Sequence, residues 1–176
     1  MTWEAFHQRG DVLRSLVAEV GVRRDGILPM DLPGVAQTFH DELDVLGALQ
    51  LRWFARLSGH IEAELSNQPM DLESAVIAAW RATADELPGI REVQDSYRAA
   101  PLDDRMAQAM ATATAKERQM LAVMAGLVSA VQADEHGARI GARIEAAARA
   151  GYQLPEPSPT PGNVGFLDRI KAALAA

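Results

Sequence analysis

The sequence contains no cysteine in its 176 residues. Disulfide bonds, thiolate metal ligands and cysteine nucleophiles are therefore excluded. Aromatic residues make up only 5% of the chain and β-branched residues are sparse, which argues against a β-sheet core. Alanine, the best helix former, is the commonest residue. The composition predicts an all-α protein.

Positive charge is also in short supply. Lysine and arginine total 17 against 24 aspartates and glutamates, so the net charge is −7. No segment is basic, and we therefore expect no nucleic-acid partner. No apolar run approaches the roughly 18 residues that a membrane-spanning helix needs, and residues 1–10 lack the apolar region of a signal peptide. These absences predict a cytoplasmic protein with no membrane span.

The familiar catalytic signatures are missing as well. The chain has no Gly-x-Ser-x-Gly elbow, no P-loop and no Gly-x-Gly-x-x-Gly turn. Its serines are scattered singly, so a nucleophile with a neighbouring base is not indicated. We therefore expect no catalytic residues and no cofactor, and a function that depends on binding.

The longest helical pattern covers residues 33–67, which contain no internal proline. If these residues form one helix, it is about 50 Å long. Asp31 is the predicted N-cap. Gly47 and the Ser58-Gly59 pair interrupt the apolar stripe and predict close helix contacts or a kink.

Other amphipathic stretches precede and follow this one, separated by short loops. Asp71 and Asp134 are the predicted N-caps of two of these helices, and residues 102 to about 131 are predicted to form a second long helix. The sequence predicts an up-down helical bundle of four main helices plus two shorter ones over residues 1–151. Residues 152–163 form a proline-rich linker. Residues 164–176 form a short C-terminal amphipathic helix that is marginal in isolation.

The C-terminal helix is the most function-like feature of the sequence. One face carries four apolar residues, namely Phe166, Leu167, Ile170 and Leu174. An apolar face of this kind docks into a protein groove, on a partner or on the chain's own bundle. The leading interpretation is a non-catalytic interaction or regulatory protein that uses this helix as a docking peptide, with a homodimer as one arrangement.

Two alternatives rest on polar and aromatic residues within the predicted helices. A ferritin-like oxidoreductase would bind iron or manganese through Glu4, His7, His60 and Glu117, because carboxylate-bridged metal bundles use Glu and Glu-x-x-His ligands. In that interpretation Gln50 and His60 face Glu117 across the two longest helices. A small-ligand-binding bundle would instead line an apolar pocket with Trp53, Trp80 and the methionines.

Overall fold

The computed structural model describes the backbone of residues 3–156 and the side chains of residues 8–156. Over this range the chain is all-helical and contains no strand, as the composition predicts. Seven α-helices pack against one another: α1 Trp3–Arg23, α2 Val35–Thr38, α3 Glu42–Ser66, α4 Leu72–Glu86, α5 Pro88–Ala99, α6 Asp104–Met124 and α7 Ala138–Arg149. A 3₁₀ turn, Ala130–Gln132, and a π turn, Ala133–Gly137, precede α7.

The single helix predicted over residues 33–67 is wrong at its start. The chain is extended at Phe39, with φ −113° and ψ 141°, and α3 begins only after Asp41. The Asp41 side chain accepts a hydrogen bond of 2.9 Å from the Asp44 backbone N–H, which satisfies an amide that the helix itself leaves unpaired. From there α3 continues without interruption through Gly47 and Ser58-Gly59.

Arg9 of α1 fixes the break in place. Its guanidinium donates to the Thr38 carbonyl oxygen at 3.0 Å and to the Asp44 carboxylate at 2.8 Å, so it bridges the end of α2 and the start of α3. Asp31, the predicted cap, accepts hydrogen bonds from Arg23 instead. The contacts of Arg9 therefore hold the chain in a bend between α2 and α3, where the sequence predicts a continuous helix.

The other helix boundaries agree with the sequence only in part. Asp71 caps α4 as its position suggests, accepting from the Ser74 backbone N–H at 3.0 Å. The second long helix ends at Met124, earlier than the apolar pattern implies, because Gly126 adopts a left-handed φ of 70° and stops it. Asp134 lies in the π turn and caps no α-helix.

Two glycines allow helices to touch backbone to backbone. A Cβ added to Gly89 would lie 2.1 Å from the Val20 carbonyl oxygen, and one added to Gly141 would lie 1.8 Å from the Arg118 carbonyl oxygen. Only hydrogen fits in these positions. Gly89 therefore sets the contact of α5 with α1, and Gly141 sets the contact of α7 with α6.

The helices pack so that a seam between α3 and α6 stays open. Helix α3 packs on α4, α4 on α7 and α7 on α6, while α3 and α6 touch much less. These two helices run in the same direction, since Arg105 and Asp41 pair at their starts and Ser58 meets Met120 further along. The up-down arrangement remains a prediction. None of the helices in the described range is long and apolar enough to cross a membrane.

The first residues of the predicted linker rest on the bundle. Tyr152 packs edge-to-face on Trp80, with ring centroids 6.0 Å apart, and its hydroxyl donates to Asp85 at 2.6 Å. Leu154 also packs against the core. The linker therefore contacts the bundle beside α4 as far as Leu154, and Pro155 and Glu156 are exposed.

Candidate functional site

Two of the four residues proposed as metal ligands, His60 and Glu117, form hydrogen bonds with different partners. The His60 Nε2 atom lies 2.9 Å from the Glu86 carboxylate of α4, whereas Glu117 is buried elsewhere. Helical phase accounts for the error, because His60 is rotated around the helix axis by about 60° from Leu57 and by about 100° from Ile61, the two residues that occupy the core face at that end of α3. The predicted contact of His60 with Glu117 is wrong.

The other two proposed ligands, Glu4 and His7, lie outside the residues whose side chains are described. Among the side chains of residues 8–156, no group of three or more histidines, aspartates and glutamates is arranged to hold a metal ion.

Glu117 lies at the centre of the bundle and is 5% exposed. Its carboxylate accepts long hydrogen bonds from the Trp80 indole N–H at 3.4 Å and from the Gln50 amide at 3.5 Å. The prediction that Gln50 faces Glu117 is therefore confirmed. The charge partner is Arg91 of α5, whose Nη1 atom lies 3.6 Å away, a residue that the sequence interpretation missed.

Arg91 is enclosed by the core and is 3% exposed. Its Nη2 atom pairs with Asp95 at 2.9 Å, and its guanidinium stacks over the Trp53 ring at 4.9 Å from the centroid. Burial lowers the pKa of Arg91, and the charges of Glu117 and Asp95 oppose that effect. The three charges and the indole ring form a buried polar centre that joins α3, α5 and α6.

A second ion-pair cluster lies beside the first and surrounds Glu145 of α7. Its carboxylate accepts hydrogen bonds from Arg98 at 3.1 Å, Arg118 at 2.8 Å and Arg149 at 3.0 Å. Burial alone would raise the pKa of Glu145, but the Arg118 hydrogen bond and the charges of Arg98 and Arg149 outweigh it and lower the pKa to about 2. This cluster ties α5, α6 and α7 together.

Glu145 makes the stability of the fold depend on pH. Its pKa is about 2 in the folded chain against an ordinary 4.5, so its stabilisation is complete above pH 4.5 and is lost as the pH falls towards 2. We expect Glu145→Gln to lower the free energy of unfolding by about 2 kcal/mol at pH 7 and by much less at pH 2.5. Urea unfolding at both pH values measures this difference.

The matched control for that experiment is Glu62→Gln, at an exposed carboxylate of α3. We expect it to change the free energy of unfolding by less than about 0.5 kcal/mol at either pH. A Glu145→Gln variant whose loss of stability is the same at both pH values would show that the carboxylate is not held ionised by its arginines.

The open seam between α3 and α6 forms an apolar groove with a volume of about 620 Å³. One wall consists of Leu43, Leu51 and Phe54 of α3, and the other is built around Ala109 and Ala113 of α6. Leu51 is 72% exposed and Phe54 is 38% exposed. Large apolar side chains grouped beside an open channel are typical of interaction sites.

The charged groups of the groove are both cationic. Arg105 and Lys116 of α6 line it, together with Gln50 of α3. The Arg105 guanidinium also pairs with the Asp41 carboxylate. In the part of the chain that the structure describes, no acidic side chain lines the groove. Gln50 connects the groove to the buried polar centre, since its amide donates to Glu117.

The sequence contained a signal for this groove. Leu51 and Phe54 lie off the core stripe of α3. With Gly47 and Leu43, which also packs against the core, they form a second apolar stripe at helical spacing. A helix with two apolar stripes either contacts two neighbours or leaves one stripe open. The tryptophans named in the small-ligand interpretation do not line this groove; Trp53 and Trp80 pack edge-to-face in the core, with ring centroids 5.9 Å apart.

The four residues predicted to bind a partner, Phe166, Leu167, Ile170 and Leu174, lie outside the residues that the structure describes. Comparison of the chain with protein-family models, with characterised proteins and with solved structures found no match.

Proposed function

We propose that this chain is a cytoplasmic, non-catalytic interaction protein whose α3–α6 groove binds an amphipathic helix of a partner protein. The observation that carries the proposal is the exposure of Leu51 (72%) and Phe54 (38%) beside the open channel. An apolar stripe that its own fold leaves uncovered is the usual receptor for the apolar face of a helix.

The dimensions of the groove suit a helix of about three turns. From Leu43 to Phe54 the α3 wall is twelve residues long, and its eleven residue steps correspond to about 16 Å of helix. Ala109 and Ala113 form a low opposite wall, and a Cβ added to Gly47 would meet no atom within 4 Å. Small side chains let helix axes approach to about 8 Å, so an incoming helix can lie between α3 and α6.

The state of the buried ionisable groups favours binding over catalysis. Arg91 and Glu117 face each other at 3.6 Å, and Glu145 is surrounded by three arginines. Each therefore has a counter-charge, and its role in holding helices together accounts for its burial. The groove offers apolar surface, amides and cations, which are the groups of a recognition surface.

Residues 164–176 have the complementary role in this proposal. They present Phe166, Ile170 and Leu174 as a docking peptide on a partner protein, carried by the proline-rich linker after residue 154. The segment also carries Asp168, Arg169 and Lys171, and its two cations would meet Arg105 and Lys116 unfavourably in the groove of its own chain. We therefore place its docking site on the partner.

The groove can be tested with the double variant Leu51→Ala, Phe54→Ala. The probes are two fluorescein-labelled amphipathic peptides that share the same leucine positions, one acidic and one basic. Each truncated side chain gives up about 1–2 kcal/mol of burial in the complex, so we expect at least a thirtyfold weaker Kd for any peptide that binds the full chain. Fluorescence anisotropy measures the Kd.

The control is Val22→Ala, Ile27→Ala, which removes two side chains that are 60% and 56% exposed at the end of α1 and beyond it. It should leave the Kd unchanged. Both double variants should retain the melting temperature within about 2 °C, because exposed side chains contribute little to stability. The proposal fails if neither peptide binds, or if the Leu51 and Phe54 variant binds as well as the control. Peptide binding that weakens as the protein is concentrated would assign the groove to a second copy of the chain.

A further inference from the structure

We propose that the helix bound by the α3–α6 groove is acidic, with a carboxylate at each end of its apolar stripe. This inference rests on the proposed function, since it names the chemistry of the partner. The observation behind it is that Arg105 and Lys116 are the charged residues of the groove and that each lies near one end of its α6 wall.

The spacing of the two cations defines the partner further. Lys116 follows Arg105 by eleven positions, which correspond to about 16 Å along α6. An incoming helix of the same pitch matches them with acidic residues at positions i and i+11. Positions i+4 and i+7 fall on the same face between them and can insert apolar side chains beside Leu51 and Phe54. The expected partner sequence is therefore acidic, apolar, apolar, acidic at this spacing.

Arg105 remains able to bind a second carboxylate although it already pairs with Asp41. A guanidinium has five N–H donors, the Arg105 side chain is 64% exposed, and its contact with Asp41 is made through one nitrogen, Nη2. The Lys116 residue is exposed as well. Both charges can therefore reach a helix that lies in the groove.

The net charge of the chain acts against the binding of an acidic helix. The chain has a net charge of −7, so an acidic peptide is repelled at distance. At 0.15 M salt that repulsion is screened beyond about 8 Å, whereas contacts at Arg105 and Lys116 persist. A preference for the acidic peptide would therefore come from the groove itself, against the overall charge.

The experiment compares the two labelled peptides on the full chain at 0.15 M salt. Both have leucines at i+4 and i+7, and they carry either glutamates or lysines at i and i+11. The acidic peptide would form two surface ion pairs with Arg105 and Lys116, whereas the basic peptide would be repelled at both residues. We therefore expect the Kd of the acidic peptide to be about tenfold lower. The ratio should shrink towards one at 1 M salt.

Two charge-reversal variants, one inside the groove and one outside it, test whether the groove sets this preference. Lys116→Glu should remove most of the acidic preference, cutting the ratio of the two Kd values to about two or below. Arg143→Glu changes the net charge equally at an exposed position of α7 and should leave the ratio near tenfold. A ratio that falls equally in both variants would show that net charge, and not the groove, sets the preference, and would overturn the inference.

Two further outcomes distinguish this inference from the proposed function. If both peptides bind with equal Kd and both are lost in the Leu51 and Phe54 variant, the groove binds helices but the acidic preference is wrong. If Phe166→Ala, Ile170→Ala tightens binding of the acidic peptide severalfold, the chain's own residues 164–176 occupy the groove and the inference is also wrong. Binding of dodecanoate alone, with neither peptide bound, would identify a lipid-like ligand and overturn both.

Discussion

Replacing Gly141 with alanine is expected to destabilise the protein by about 3–5 kcal/mol. The added Cβ would lie 1.8 Å from the carbonyl oxygen of Arg118 and 2.4 Å from its carbonyl carbon. Both are backbone atoms of α6, so no side-chain rotation relieves the overlap, and α7 has to move away from α6. Overpacking that separates two helices belongs to the severe class of core substitutions.

The matched control is the same substitution at Gly59. This glycine also lies inside a helix, but a Cβ added there would meet no atom within 4 Å. Alanine is better than glycine in a helix by up to about 1 kcal/mol, so Gly59→Ala should stabilise the protein. Thermal unfolding should show a fall of about 10 °C or more for Gly141→Ala and a rise of about 2–4 °C for Gly59→Ala. Similar melting temperatures for the two variants would mean that α6 and α7 are not in backbone contact.

Replacing Arg91 with methionine is expected to cost about 3–5 kcal/mol of stability. Arg91 is 3% exposed and Glu117 is 5% exposed, and their nearest charged atoms are 3.6 Å apart. Removing the guanidinium leaves the Glu117 carboxylate buried, with only long hydrogen bonds from Trp80 and Gln50. An uncompensated buried charge carries a penalty of this size. Urea unfolding of the full chain measures the loss.

A double-mutant cycle separates this penalty from the loss of packing. Arg91→Met with Glu117→Leu removes both charges, and an apolar pair of similar volume is often tolerated. We expect the double variant to be more stable than Arg91→Met alone, with a coupling energy above about 1 kcal/mol. Arg139→Met, at an exposed position of α7, is the control and should change stability by less than about 0.5 kcal/mol. If the stability losses of the two single variants simply add in the double variant, Arg91 and Glu117 do not interact as a buried pair.

Local sequence signals predicted the helical class and much of the helix content. Alanine content, few β-branched residues and helical apolar spacing gave the all-α class, and the Asp71 cap identified the start of α4. The break before α3 was missed although Asp41 followed by Glu42 and Asp44 is itself a helix start, with acidic residues in the first turn. An apolar stripe continued across it, and nothing in the sequence indicates that Arg9 would fix the bend from α1.

The site was only partly predictable for a similar reason. Glu117 could be recognised as a carboxylate within an apolar stripe, and Gln50 as its neighbour, because both observations concern one helix at a time. The counter-ion could not be assigned, since Arg91 comes from α5, whose placement depends on the contact of Gly89 with the Val20 backbone. The groove exists because α3 and α6 pack less closely than the other helix pairs around them. The apolar periodicity of a single helix does not show how closely two helices pack.

The claim that the α3–α6 groove binds an amphipathic helix is tested most directly by a titration of the ¹⁵N-labelled full chain with the acidic peptide, followed by amide chemical shifts. We expect the largest shifts within residues 43–54 of α3 and 105–116 of α6, and we expect them to disappear in the Leu51→Ala, Phe54→Ala variant. Shifts centred on α4 and α7, or a spectrum that the peptide leaves unchanged at millimolar concentration, would contradict it.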